Sequence, residues 1–209
     1  MDENRLYSVS QIRECEQFTM QKLGISSVDL MERAGLACAE GVAPCIWFDG
    51  VEDVYVYAGP GNNGGDGVVT AIRLAEASSD PSVSLVVCAD RDARFSEEMR
   101  HQLERWQSFA AQHDNAKTIV YDADNRPEPK SDDLIVDALF GIGLNKPVTG
   151  FYAEVIRHIN GCAALTVSID IPSGLFADRH TPAGSVVVAA DKTLSVQFMK
   201  TSYFTELLN

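Results

Sequence analysis

The spacing of hydrophobic positions along this chain changes near residue 50. Before it the period is helical. Ser8-Val9-Ser10-Gln11 reads as a capping box, S-x-x-Q, that opens a helix closed by Gly24. A second helix starts near Ser26 or Ser27, and Met31, Ala34, Gly35, Cys38 and Val42 line its apolar face at i, i+3, i+4, i+7 spacing. The small residues there allow close approach to a helix, a sheet or a second copy of the chain. After residue 53 short apolar runs alternate with helical stretches. Strands are predicted over 54–57, 83–88, 118–120, 134–136, 165–169, 186–188 and 193–198. Helices are predicted through 69–75, over 94–112 with Phe95, Met99, Trp106 and Phe109 on one face, and over 149–159. That alternation predicts an α/β fold: a Rossmann-like three-layer sandwich, with a mainly parallel sheet, helices on both faces and an N-terminal helical extension. Residues 122–132 are polar and proline-bearing and read as a surface loop; no internal repeat or linker divides the chain, so one domain over 1–209 is expected.

Composition adds limits to this picture. Hydrophobic residues make up 45% and charged residues 22% of 209, enough for a sizeable core in a globular protein. No apolar run approaches the roughly 20 residues that span a bilayer, and residues 1–5 show no targeting features. The expected compartment is the cytoplasm, without a membrane partner. Seventeen Lys and Arg face thirty Asp and Glu, a net charge of -13, which argues against a nucleic-acid partner. Any bound phosphate then relies on backbone amides and helix termini. The five cysteines (15, 38, 45, 88 and 162) form no CxxC pair and read as reduced small hydrophobes rather than zinc ligands.

Candidate chemistry concentrates in three places. Gly59-Pro60-Gly61-Asn62-Asn63-Gly64-Gly65-Asp66-Gly67 lies between a strand and a helix, and its first six residues match G-x-G-x-x-G, the dinucleotide fingerprint. A plain strand-to-helix turn would also be glycine-rich, but the Asn62-Asn63 pair and Asp66 bring amides and a carboxylate that bind a hard cation, a sugar or a phosphate. The strands over 134–136 and 165–169 run into Asp137 and Asp170, followed by Phe140-Gly141-Ile142-Gly143 and Ile171-Pro172-Ser173-Gly174. Alone, either aspartate reads equally as a turn residue. In an open parallel sheet, however, ligands bind outside the carboxyl ends of the strands, so all three loops share one edge.

These segments resemble the YjeF N-terminal family, whose enzymes are NAD(P)H-hydrate epimerases. The resemblance also takes in Leu30-Met31-Glu32-Arg33-Ala34-Gly35 and Ala190-Asp191-Lys192-Thr193-Leu194, and covers nearly the whole chain in order. It implies that Asn62, Asn63, Gly64, Gly65 and Asp66 contact the nucleotide. It implies that Gly141, Ile142, Gly143, Leu144, Asn145, Lys146 and Pro147 wrap its phosphates, with Tyr152 lining the same pocket. One potassium ion per subunit would be held by Asn63, Asp137 and Ser173 together with backbone carbonyls. Asp170 would sit beside the nicotinamide ring and move a proton as the C6 hydroxyl leaves and water returns on the other face. The substrates would be NADHX and NADPHX; the resemblance also leaves room for a homodimer and for a dehydratase acting separately or as a fused domain, none being carried within these residues. The chain departs from the family at Arg33, where Asn is usual, and in stopping soon after the 193–198 run.

Two other readings stay open at this point. An NAD-dependent oxidoreductase fits G-x-G-x-x-G and Asp90 after the next strand, but no Tyr-x-x-x-Lys or histidine arrangement accompanies them. Some members of the family are protein-interaction modules without activity; retention of Asn63, Asp137, Asp170 and Ser173 favours catalysis.

Overall fold

In a computed structural model, residues 6–77 and 79–205 are described; residues 1–5, read above for targeting features, lie outside them. The two N-terminal helices follow their capping signals. α1 (Val9–Leu23) begins at Ser8, whose side chain accepts from Gln11 N while the Gln11 side chain accepts from Ser8 N, and it ends at Gly24 with φ 63. α2 (Ser27–Asp49) is capped in the same way by Ser26 and Asp29 and ends at Gly50. Both ends are decided by local hydrogen bonds, which is why the sequence announces them.

Six parallel strands follow: β1 (Asp53–Ala58), β2 (Ser82–Val87), β3 (Ala116–Val120), β4 (Leu134–Ala138), β5 (Leu165–Ile169) and β6 (Lys192–Leu194), in the spatial order β3-β2-β1-β4-β5-β6. α3 (Asn62–Ala77), α4 (Glu97–Ala110) and α5 (Gly150–Gly161) are the crossovers, and α6 (Ser202–Thr205) closes the described chain. β1 alternates its faces. Val54, Val56 and Ala58 join α2, α3 and α4 in one cluster; Tyr57 joins α5 in another. Three helices therefore cover one face and one helix with loops covers the other. After β1 the chain steps outward to β2 and β3 and then returns to lay β4 on the opposite side of β1. This reversal puts a crevice at the carboxyl ends of β1 and β4.

Two expectations change and a third narrows. Residues 186–188 pair with no strand: Val188 is buried and its N–H donates to Ser173 O at 2.9 Å, while Val187 O accepts from Asn160 Nδ2 at 2.8 Å. The edge of β5 is already occupied by β6, so this apolar run fills the α5-side cluster instead. The 193–198 strand keeps only its first two residues, because the chain turns at Gln197 (φ 62) and Phe198 N–H folds back to Val196 O. Of the partners open to the Gly35–Cys38 face, the structure supplies a helix. The face is packed against α3, where Thr70 Oγ1 donates to Gly35 O at 3.2 Å.

Gly35 leaves little room at that crossing: a Cβ there would lie 2.4 Å from Val69 Cβ. Gly35→Ala is expected to cost about 1–3 kcal/mol, the usual range for overpacking, read as a lowered urea midpoint. An unchanged midpoint would mean that the α2–α3 contact is looser than described.

Candidate functional site

The site begins where β1 and β4 end. Gly59 N–H donates to Ala138 O at 3.1 Å, carrying the sheet one bond beyond the strands. The helix that follows starts so near this turn that a Cβ on Gly64 would fall 1.9 Å from Gly59 O, and one on Gly59 would fall 2.0 Å from Leu139 O. Those glycines are demanded by backbone contact with each other and with Leu139 just beyond β4, and the close fit leaves the first turn of α3 facing the crevice.

Beneath the crevice lies Asp137, with none of its surface exposed. Its Oδ1 accepts from Ser173 Oγ at 2.6 Å and Leu139 N at 3.2 Å; its Oδ2 accepts from Ser168 Oγ at 2.7 Å and Ser173 N at 2.9 Å. Burial pushes its pKa up, and these bonds pull the other way. Ser173 Oγ in turn accepts from Phe140 N at 2.9 Å. Asn63, also buried, lies against the next residue of that loop: a Cβ on Gly141 would stand 3.3 Å from Asn63 Oδ1 and 2.6 Å from Asp170 Oδ2. Asn63 Nδ2 reaches Ile169 O at 3.5 Å, whereas its buried Oδ1 has no hydrogen-bond partner. An orphaned buried amide oxygen is a donor of the kind that suits a hard cation. Among the described residues no group of three or more His, Cys, Asp or Glu converges as a metal cluster.

Asp170 follows β5 with a left-handed backbone, φ 70. Its Oδ2 accepts from Ile142 N at 3.0 Å, and Lys200 Nζ approaches Oδ1 at 2.5 Å. Above it is a cavity of about 500 Å³ lined by Asn62, Asn63, Asp66, residues 139–146 and Asp170 from the three loops, and by Ile12, Arg13 and Glu16 of α1. A larger cavity of about 900 Å³ shares Arg13, Glu16, Asn62 and Asp66 but runs between α1 and α2 among Met20, Leu30, Met31 and Ala37. The smaller cavity holds the strand-end carboxylate and the loop amides, and is the candidate site. Burial raises the pKa of Asp66 well above the ordinary carboxylate range, with repulsion from Asp170 and Glu16 adding to it; Glu16 is raised by burial and then by Asp170.

Asn62, Asn63, Asp66, residues 141–146 and Asp170 thus meet at one cavity. Gly64 and Gly65 are packed inside α3, and Asp137 and Ser173 form the support below. Pro147 lies outside the lining, and so does Tyr152. Tyr152 packs edge-on against Phe140, with ring centroids 5.0 Å apart, and its hydroxyl accepts from Asp90 N at 3.4 Å. The first turn of α5 directs it toward the end of β2. Sequence reasoning passed over Arg13, Glu16, Lys200 and Tyr203. Only the buried ion pair of Lys200 left a trace in the sequence, as one lysine directly after Phe198-Met199.

Comparison with known proteins shows the family and the fold. The family described as YjeF-related protein N-terminus matches residues 27–202. An NAD(P)H-hydrate epimerase of Limosilactobacillus fermentum is 34% identical over 199 residues, which are 95% of this chain and 88% of that one. A bifunctional NAD(P)H-hydrate repair enzyme of Thermofilum pendens is 35% identical over 193 residues, 90% of this chain but 34% of the longer relative. The crystal structure of yeast ynu0 superposes with a TM-score of 0.78 at 22% identity, over 96% of this chain and 84% of that one, a likeness of fold.

The raised pKa of Asp66 has a measurable consequence. The folded chain holds that proton more tightly than the unfolded chain, so this residue's contribution to stability falls as pH rises above the ordinary carboxylate value of about 4. Asp66→Asn should therefore have a higher urea midpoint than wild type at pH 8, with the gap closing toward pH 4. Equal midpoints across that window would show that Asp66 ionises as it does in water.

Proposed function

The chain belongs to the YjeF-related protein N-terminus family, and from that membership and the cavity at its strand ends we propose that it is an isomerase that interconverts the R and S forms of hydrated NADH and NADPH. The observation that carries the proposal is the meeting of three loops at one cavity with a strand-end carboxylate, Asp170, in its wall, in a chain whose relatives over nearly all its length are named NAD(P)H-hydrate epimerase.

The parts then have these roles. Amides at the start of α3, at Asn62 and Asn63, and the 141–146 loop receive the phosphates; in so acidic a chain the helix terminus is the suitable group for that task. Arg13 and Lys146 add positive charge at the rim. The reduced ring lies toward Asp170. As the ring nitrogen's lone pair forms a C=N bond, the C6–O bond breaks, and Asp170 gives its proton to the departing hydroxyl, which leaves as water. Water then adds to the opposite face of the ring cation and returns a proton to the carboxylate, so electrons and protons balance without any oxidant. The Asp170 carboxylate, left negative once its proton is given, favours the positive charge that the ring carries between these steps.

A potassium ion is part of the proposal. The orphaned Oδ1 of Asn63 and the oxygens of Asp137 and Ser173 are the groups that would hold it, and all are hard donors. When bound it supplies positive charge that offsets the buried carboxylate and the substrate phosphates. No helix among the described residues is long and apolar enough to cross a membrane, and the cytoplasm is the proposed location. An enzyme that acts on one of the two epimers, as a separate chain or a fused domain, would complete the repair.

The test is chiral separation of NADHX over time in potassium-containing buffer, with wild type and Asp170→Asn. Wild type is expected to speed R/S equilibration without ATP. Asp170→Asn is expected to bind NADP nearly as wild type does while losing on the order of 10²-fold or more in rate, the size of a general acid–base contribution. A folded wild type no faster than buffer would remove the activity; affinity lost in step with rate would make Asp170 a binding residue.

A further inference from the structure

Asp170 adopts a backbone conformation that L residues disfavour, and something must hold it there. Its N–H donates to Leu194 O at 2.8 Å, which fixes only the strand edge. Its two other polar groups are taken by the segment that follows β6. Tyr203 Oη donates to Asp170 O at 2.5 Å, and Lys200 Nζ lies 2.5 Å from Asp170 Oδ1. Lys200 is only 1% exposed. The rest of its ammonium is spent on Ser195 Oγ at 3.0 Å and Val196 O at 2.8 Å, so its three N–H bonds have fixed directions.

The segment is itself anchored. Lys200 forms a backbone bridge with Tyr7, and Ser202 N–H donates to Ala177 O at 3.0 Å. A lysine chain this deeply buried gives up its hydration, and an ion pair so placed is weak evidence for stability alone. Its partner here is the one carboxylate that the candidate chemistry uses. With Lys200 on Oδ1 and Ile142 N on Oδ2, the carboxyl plane has no freedom to turn.

We propose that Lys200, assisted by Tyr203, is a positioning residue for the epimerisation: the pair holds the Asp170 carboxyl in the orientation from which it exchanges a proton with the nucleotide ring. The role rests on the epimerase reading and is additional to it. Lys200 touches no substrate atom; it acts through Asp170.

A role exercised through Asp170 must vanish when Asp170 can no longer move a proton, whereas a merely structural role would not. The test is therefore a cycle of Lys200→Met, Asp170→Asn and the double variant, each read for kcat in R/S equilibration of NADHX and for NADP affinity by calorimetry. Lys200→Met is expected to lower kcat about 10-fold or more with affinity within about 3-fold of wild type, the mark of a contact that serves the reaction rather than binding. In the Asp170→Asn background the same change should alter kcat by less than about 2-fold. Equal losses in both backgrounds, or no loss in either, would overturn the positioning role. Tyr203→Phe removes a single hydroxyl and keeps the question open to measurement if Lys200→Met does not fold: a loss of kcat at constant affinity supports the clamp, and an unchanged kcat overturns it. An inactive wild type would overturn the epimerase reading and this role together; an active wild type with additive losses overturns the role alone.

Discussion

A carboxylate with no surface in water has to be satisfied by the chain around it, and the way Asp137 meets that demand organises the functional edge of the protein. Its four acceptor contacts come from Leu139 directly beyond β4, from Ser168 on β5 and from the backbone and side chain of Ser173 beyond β5. Two strand ends and two loops are tied to one charge. Ser173 carries the tie further by accepting from Phe140 N, so the 139–146 segment cannot move independently of the turn after β5. Asn63 and Asp170 then face each other across Gly141, where there is no room for a side chain. Removing the carboxyl would leave several donors unmatched in the interior, which costs more than the bonds themselves contribute. A cation at this place would act on the same carboxylate that holds the loops, so ion binding, loop order and nucleotide binding are linked in this account.

What could be read from the sequence was whatever is decided locally. The Ser8–Gln11 capping box and its closing Gly24 involve residues three or four apart, and the structure reproduces them; the second helix starts where expected, while its Asp29 cap and its end at Gly50 come from the structure. The short apolar runs placed β1, β2, β4 and β5, and the general rule for parallel sheets brought Asp137 and Asp170 to the same edge as the glycine-rich turn. That turn was informative for two reasons that composition cannot separate. Gly59 and Gly64 are required by backbone contact with each other and with Leu139, and only the polar residues between them face the cavity.

What could not be read depends on contacts between distant residues. The apolar run 186–188 has strand composition, but its destination is set by β6 having taken the edge of β5. Tyr152 is close in sequence to the 141–147 loop, yet the direction of the first turn of α5 aims it at Asp90. Lys200 meets Asp170 across thirty residues through a turn at Gln197 that no local signal specifies. The contribution of α1 to the cavity, through Arg13 and Glu16, arises from the packing of a helix whose sequence announces only its ends.

The proposal is of an acidic α/β protein that would assign phosphate recognition to helix amides and loop backbone and proton transfer to a carboxyl group held from both sides. Its central claim is positional: the nicotinamide ring of a bound nucleotide would lie over Asp170, with the phosphates between the start of α3 and the 141–146 loop, above a potassium ion among Asn63, Asp137 and Ser173. A crystal structure with NADP in potassium-containing buffer tests it directly. The account predicts the ring within hydrogen-bonding reach of the Asp170 carboxyl and density among those three residues that refines as potassium. A nucleotide seated instead beside Asp90 and Tyr152, or a water making ordinary hydrogen bonds at the ion position, would contradict it.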